Sequence, residues 1–493
     1  MTGSVIVVLA LYLLGGVSTS NCDLLLRTLP IVITAAVQVG NPLASPIPKE
    51  WPTDLRTALK HFPLDPDLIE YASCPRCCNL TPPDANGQYP STCTFRETIS
   101  DPECGAELLQ KDRKPIRRYL YQPMGLWLGR MLARPGIEEL MDKAWVPPLH
   151  RAVGVLKDIW DGNVLQLFSS DGAGEVKDPS TGVREGRLVF SLFVDWFNPF
   201  GTGRRGKHIS VGAIYLICLN LPPHLRFRAE NVYLAGIIPG PAEPRLHEIN
   251  HFLRPLVDDF LHFFAPGFLC SRTPSSSLGR RFRCLLIPFV ADVLAARKTS
   301  GFTSHGATFF CSFCRLLKEQ ICRSFNPQDW PRMDANEHRR IANMWKNAGS
   351  TTEREAIAKE YGIRYSELLR LPYWDPSRFT ILDSMHNLFL GDFKHHIDDI
   401  WTMSAPKKKE ATKKTIPHTP EQQGIDLQKL KVFITSGGKD GHARGIRRGY
   451  FVAFAKANNV EPSRGTTKAH YSEALLQWVS RIYFFSEPRV YST

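Results

Sequence analysis

Acid is what this chain has too little of. Its 48 Asp and Glu face 61 Lys and Arg, a formal net charge of +13 at pH 7 with a pI of about 9.2. That balance excludes an acidic, solvating chain and favours a polyanionic partner, of which nucleic acid is the commonest. Long hydrophobic runs are missing too. SVIVVLALYLLGG (residues 4–16) is too short to span a bilayer core of about 30 Å comfortably. It runs into GVSTSN as a secretory h-region runs into its cleavage site, but no positive segment precedes it. With LLLRTLPIVITAAV (24–37) it reads as two packed core helices, the alternative being a signal or anchor that would make the protein secreted or membrane-tethered. No internal repeat recurs, which excludes a solenoid or propeller.

An apolar content of 43% is enough for a real core, and 493 residues suffice for roughly two to four domains. The twelve cysteines are unevenly spread. Cys74, Cys77, Cys78, Cys93 and Cys104 cluster, and Cys311, Cys314 and Cys322 form a second group. Two C-x2-C pairs in a large basic chain point to metal or thiol sites in a reducing compartment rather than to disulfides.

Composition changes along the chain divide it into six parts. Residues 1–50 are apolar and end in NPLASPIP, 51–110 hold the first cysteines, and 111–185 read as helical followed by a polar loop. Residues 186–400 carry the β-rich segment, 401–427 hold the basic linker PKKKEATKK, and 428–493 read as a small helical module. Within the β-rich segment RLVFSLFVDWF (187–197), GAIYLICLNL (212–221) and NVYLAGIIPG (231–240) are strand-like. HEINHFLRPLVDDFLHFF (247–264) has helical spacing, and FRCLLIPFVADVLAARK (282–298) is a strand that turns toward a helix. Short links predict three antiparallel strands, and the helix permits a crossover to a parallel fourth.

The first strand ends on Asp195 and the fourth on Asp292. If those strands are neighbours, both carboxylates reach one rim. Two such charges repel unless a cation lies between them, and Mg²⁺ (or Mn²⁺) is bound by one or two carboxylates plus water and substrate phosphate. Each acid alone also reads as a turn former or helix cap.

Cys74, Cys77, Cys93 and Cys104 are spaced C-x2-C-x15-C-x10-C and suit a tetrahedral Zn²⁺ site, free core thiols being the alternative. His305, Cys311 and Cys314, with Cys322 as a fourth, form a weaker zinc candidate. Alternatively His305 meets DNA and these cysteines are buried. Arg204, Arg205 and Lys207 in GTGRRGKH are placed to meet phosphates, or to sit in a solvated hairpin tip. PKKKEATKK has the composition of a nuclear-localisation signal. GYFVAFAKANNVEPSRGTTKAHYSEALLQW (449–478) reads as helix–turn–helix and resembles SAP-type DNA-binding modules, with Arg464 and Lys468 near a helix N-terminus that favours phosphate.

The strings VDWFNPF, LNLPPHLRFRAENVYLAGIIPGPAEP, FVADVLAARKTSGFTSHGATFFCSFC and DSMHNLFLGDF together resemble the CACTA-type (En/Spm-like) DNA transposases in their fungal versions, over roughly residues 70–400. The resemblance implies an α/β, RNase H-like core: a mixed sheet of three antiparallel strands plus a parallel fourth, with flanking helices. It implies a metal-binding triad of two Asp and a Glu. Asp195 matches the first acid and Asp292 the second, and DSMH (Asp383 to His386) matches a D-x2-H signature. The chain departs from the pattern at the third acid. No string after His386 matches the expected Glu, Glu487 in FFSEPRVYST being only aromatic-flanked, so Asp383 is the candidate substitute and His386 a carboxylate-orienting or phosphate-touching group. The expected function is cutting and joining phosphodiester bonds at transposon ends by a two-metal mechanism. The alternative is a catalytically inactive, transposase-derived DNA-binding protein. Implied partners are double-stranded terminal repeats, target DNA and further copies of the chain, with no small-molecule substrate and a nuclear location.

Overall fold

The computed structural model describes residues 2–13, 16–40, 51–62, 66–145, 155–165, 177–179, 182–200, 209–320, 326–401, 403, 418–438, 445–462 and 465–482. The chain divides into two compact units, Met1–His395 and His396–Thr493.

The first unit is built on one mixed sheet of nine strands among the described residues. These are β1 (Ile69–Ser73), β2 (Leu80–Thr81), β3 (Arg118–Tyr121), β4 (Gly186–Phe197), β5 (Val211–Cys218), β6 (Val232–Ile238), β7 (Phe268–Cys270), β8 (Arg280–Ala291) and β9 (Thr380–Leu382). Their spatial order is β2-β1-β3-β6-β5-β4-β8-β7, with β9 also on β8. The pairs β6/β5 and β5/β4 are antiparallel, whereas β4/β8 and β8/β9 are parallel. Three antiparallel strands, a helix and a parallel fourth strand therefore occur as the residue pattern predicts, and β9 adds a parallel fifth.

Strand β4 explains the arrangement. From Leu188 to Leu192 every side chain is buried, so both faces are covered and the run is continuously apolar, as in a parallel-sheet interior. One face packs on the helix Ile249–Phe264, whose Phe252, Leu256 and Phe260 are fully buried. Phe190 meets Phe260 edge-on at 5.9 Å. The opposite face opens toward the strand's end, where Phe193 is half-buried and Asp195 exposed. Between β7 and β9 the outer edge of β8 is unpaired at Leu286, and the Tyr373 hydroxyl accepts its N–H at 2.9 Å.

Residues 111–121 differ from the helical expectation. RYLY is strand β3, with Tyr119 and Tyr121 buried and Arg118 and Leu120 turned out, an alternation of period two. The sheet thus reaches upstream of residue 186, through the β3–β6 pairing. At the N-terminus the helices Thr2–Leu13, Thr19–Gly40 and Leu55–His61 share a small core of Val5, Val8, Leu9, Cys22, Leu26, Leu55 and Ala58. No helix among the described residues is long and apolar enough to cross a membrane.

The second unit holds the helices Pro420–Thr435, Arg448–Ala457 and Lys468–Ile482 around Leu430, Phe433, Phe451 and Leu475.

Candidate active site and cysteine cluster

Three apolar strands carry an aspartate near or just past their carboxyl ends, and the sheet sets the strands side by side. Phe193 pairs with Val290 across β4 and β8. Two residues further on, the same register brings Asp195 opposite Asp292. Ala291 pairs with Leu382 across β8 and β9, and the Asp383 N–H donates to the Ala291 carbonyl at 2.9 Å, so the next step brings Asp292 opposite Asp383. Because side chains alternate along a strand, all three acids share a face and form a row at the carboxyl ends of three adjacent parallel strands. Parallel neighbours lie about 4.8 Å apart, so the outer two stand about 10 Å from each other.

Each carboxylate is held locally. Asp195 Oδ1 accepts the Trp196 N–H at 2.8 Å. Asp292 caps the helix Val293–Thr299 by accepting the Ala295 N–H at 2.7 Å. Asp383 Oδ1 accepts the Met385 N–H at 3.0 Å, and its Oδ2 lies 2.5 Å from His386 Nδ1. Partial burial would raise the Asp383 carboxyl, but the His386 and Met385 hydrogen bonds hold it below the ordinary range. Its bond to Asp383 holds His386 above the ordinary imidazole range, against slight desolvation, and the charges of Asp383, Asp195 and Asp292 add to the effect. His386 thus feels the charge of the whole acid row, Asp195 included.

The ring of Trp196, directly after Asp195, lies so close to Gly212 that a Cβ there would come within 2.6 Å of it. Lys298 Nζ sits 4.8 Å from the centre of the same ring and 2.7 Å from Glu243 Oε2. On β5, Tyr215 is paired with Phe193 and stacked on its ring at 5.1 Å and 6°. Burial raises the Tyr215 hydroxyl, and the charges of Asp195 and Asp383 raise it further. The sequence reading missed β9, Tyr215 and Lys298. A signal for β9 was present: RFTILD ends an apolar run on Asp just as SLFVD and IPFVAD do.

The cysteine cluster lies at the other side of the sheet. Cys74 follows β1, and Cys93 and Cys104 face each other across a narrow loop in which Cys93 N–H donates to Ala106 and Gly105 N–H to Cys93. The Sγ atoms of Cys74, Cys77, Cys93 and Cys104 all lie within 4.8 Å of one another. Cys74–Cys104 is 3.7 Å and Cys77–Cys93 3.6 Å. Ligands at about 2.3 Å on a tetrahedron stand about 3.8 Å apart, whereas a disulfide requires about 2.05 Å, so the set can hold a metal such as zinc. The Cys77 thiol donates to Cys74, which holds Cys74 low, at about 5, and Cys77 high. Burial pushes Cys93 up to about 11.

Among the described residues this is the one group of His, Cys, Asp and Glu with three or more ligand atoms so close together. The aspartates form a row rather than a knot. His305, exposed, is not brought into ligand distance of Cys311 and Cys314 as a group. Instead, the buried Arg297 organises that loop by donating to the carbonyls of Thr303, Phe309 and Phe310 and to Ser312 Oγ. Cys322, Arg204, Arg205, Lys207, Arg464, Glu487 and the PKKKEATKK run lie outside the described residues. Lys468 opens the last helix, its Nζ 5.2 Å from the centre of the Phe451 ring.

Residues 176–353, which contain Asp195 and Asp292 but end before Asp383, match the transposase family tnp2. The match supports a transposase family for this chain. No curated protein matches it.

Proposed function

We propose that this chain is a transposase of the CACTA (En/Spm-like) type, which cuts and joins phosphodiester bonds at transposon ends. One observation carries the reading: Asp195, Asp292 and Asp383 lie at the carboxyl-terminal parts of three adjacent parallel strands, where the pairing register sets them in a row. The strand order β6-β5-β4-β8-β9, antiparallel then parallel, is that of an RNase H-like core and supports the same conclusion.

Three carboxylates with no thiol among them make a hard oxygen donor set, which fits Mg²⁺ or Mn²⁺. Asp195, Asp292 and Asp383 would hold the metal, which when bound supplies an activated attacking oxygen and charge compensation at the leaving one. The protein's own part is positioning. The backbone N–H groups of Trp196 and Ala295 each fix one carboxylate oxygen. His386 orients Asp383 and offsets the negative charge of the row. Arg204, Arg205, Lys207, Arg464 and Lys468 are the candidate contacts to duplex phosphates, and the basic linker fits nuclear entry. Cys74, Cys77, Cys93 and Cys104 would bind structural zinc as a knuckle.

Mg²⁺- or Mn²⁺-dependent nicking of a duplex carrying the element's own terminal repeat tests the proposal. Asp195→Asn should lower the rate by at least about 10³-fold while salt-sensitive DNA binding persists. The glutamate that the resemblance implies downstream of His386 has no match, Asp383 being its candidate substitute, and this favours a second reading, a DNA-binding protein without catalysis. Wild-type binding without any nicking would select that reading.

A further inference from the structure

The face of the sheet that carries the acid row also carries one hydroxyl for which the mechanism above has no use. Tyr215 lies on β5 directly opposite Phe193, and Asp195 lies two residues beyond Phe193 on β4. Opposed residues of an antiparallel pair project to the same side, as do residues two apart on a strand. Tyr215 therefore stands beside Asp195 on the open face, one row nearer the strand starts. The Phe193 stack fixes its ring at 5.1 Å and 6°. The ring is half-buried. Every other polar group named in the row either accepts protons, as the carboxylates do, or is committed to one of them, as His386 is. A phenol is a neutral donor beside these carboxylates, and a phosphodiester brought to the row presents acceptor oxygens alone.

We propose that Tyr215 is a further substrate-contacting residue of this centre, its hydroxyl donating a hydrogen bond to a non-bridging oxygen of the phosphodiester held at the acid row. The inference rests on the proposed transposase reading. It assigns Tyr215 to the phosphate itself, which makes it a group that discriminates a charged phosphate from an uncharged one.

The test compares wild type, Tyr215→Phe, Phe193→Leu and Asp195→Asn. Tyr215→Phe keeps the ring and its stack, so folding should be unchanged. Single-turnover nicking should fall about 10- to 100-fold in Tyr215→Phe. Phe193→Leu, which loosens the stack but keeps the hydroxyl, should lose less. Without added metal the acid row repels the natural linkage in every variant, so the penalty for replacing the cleaved linkage by an uncharged methylphosphonate is read as a difference: it should be about 3- to 10-fold larger in wild type than in Tyr215→Phe. If Asp195→Asn abolishes nicking while Tyr215→Phe matches wild type in both rate and methylphosphonate penalty, the assignment of Tyr215 is overturned. A larger loss in Phe193→Leu than in Tyr215→Phe also overturns it, because the ring and not the hydroxyl would then matter. Should Asp195→Asn nick as well as wild type, the transposase reading itself fails.

Discussion

Replacing Cys104 by serine should release one loop of this protein and leave its sheet folded. The segment from residue 92 to 109 has little core of its own: Leu108 and Ala106 are buried, and Phe95 and Leu109 partly so. Their burial contributes about 5 kcal/mol. Ordering about 18 residues costs about 18 kcal/mol, even at the low figure of about 1 kcal/mol each. A structural zinc contributes about 10–16 kcal/mol at pH 7, so the sum is near zero with the metal and about 13 kcal/mol unfavourable without it. Atomic emission on protein purified in reductant should find about one zinc per wild-type chain and almost none in Cys104→Ser. Hydrogen exchange reads the loop directly. The Cys93, Gly105 and Leu108 amides, bonded to Ala106, Cys93 and Ser91 respectively, should lose their protection in the variant. Amides of β4 and β8 should keep theirs, because local opening is separate from global unfolding. Equal protection of the three loop amides in zinc-free protein would refute the reasoning, since other contacts would then suffice to order the loop.

Asp292→Asn keeps a capping oxygen for Ala295 and should leave the melting temperature almost unchanged while abolishing nicking, whereas Asp292→Ala should also cost about 1 kcal/mol in a denaturant titration. Gly212→Ala should destabilise by about 1–3 kcal/mol and slow nicking, since its Cβ would meet the Trp196 ring beside Asp195; wild-type values of both would contradict the packing described. The pair of Asp383 and His386 has an acidic limb and a basic limb. Its stabilisation is lost as pH falls through the lowered Asp383 value and as pH rises through the raised His386 value, and is present between them. In Asp383→Asn the imidazole should titrate lower than in wild type by NMR, and an unmoved titration would show that Asp383 is not its partner.

The strands β4, β5, β6 and β8 were legible because each is a dense apolar run, and the helix 249–264 because its buried side recurs at three and four. The acids at positions 195 and 292 were legible because an apolar run that stops on a charge is a local signal. The strand Thr380–Leu382 was not read, since its one signal, an apolar run that stops on Asp383, is only three residues long in the structure. It became a strand only because β8, twelve residues long, leaves an edge for it. Strand β3 was hidden for a related reason. RYLY is embedded in a basic stretch, and its alternation is decided by the two tyrosines that find a core supplied by residues more than 100 positions away, such as Phe252 against Tyr119. The cysteine quartet was legible from its spacing, whereas the second group, read as a weaker zinc candidate or as buried cysteines, shares its loop with Arg297, whose buried guanidinium has no signal in the spacing.

The outermost aspartate hangs from a strand of three residues, while its two companions are set in strands of twelve. Scaffold and chemistry therefore have different points of failure. Substitutions confined to residues 380–386 can unhook the third carboxylate and leave every long strand in place. On the proposed reading, a gene copy would in this way fall silent while staying folded and basic, with nothing in its bulk stability to betray the loss.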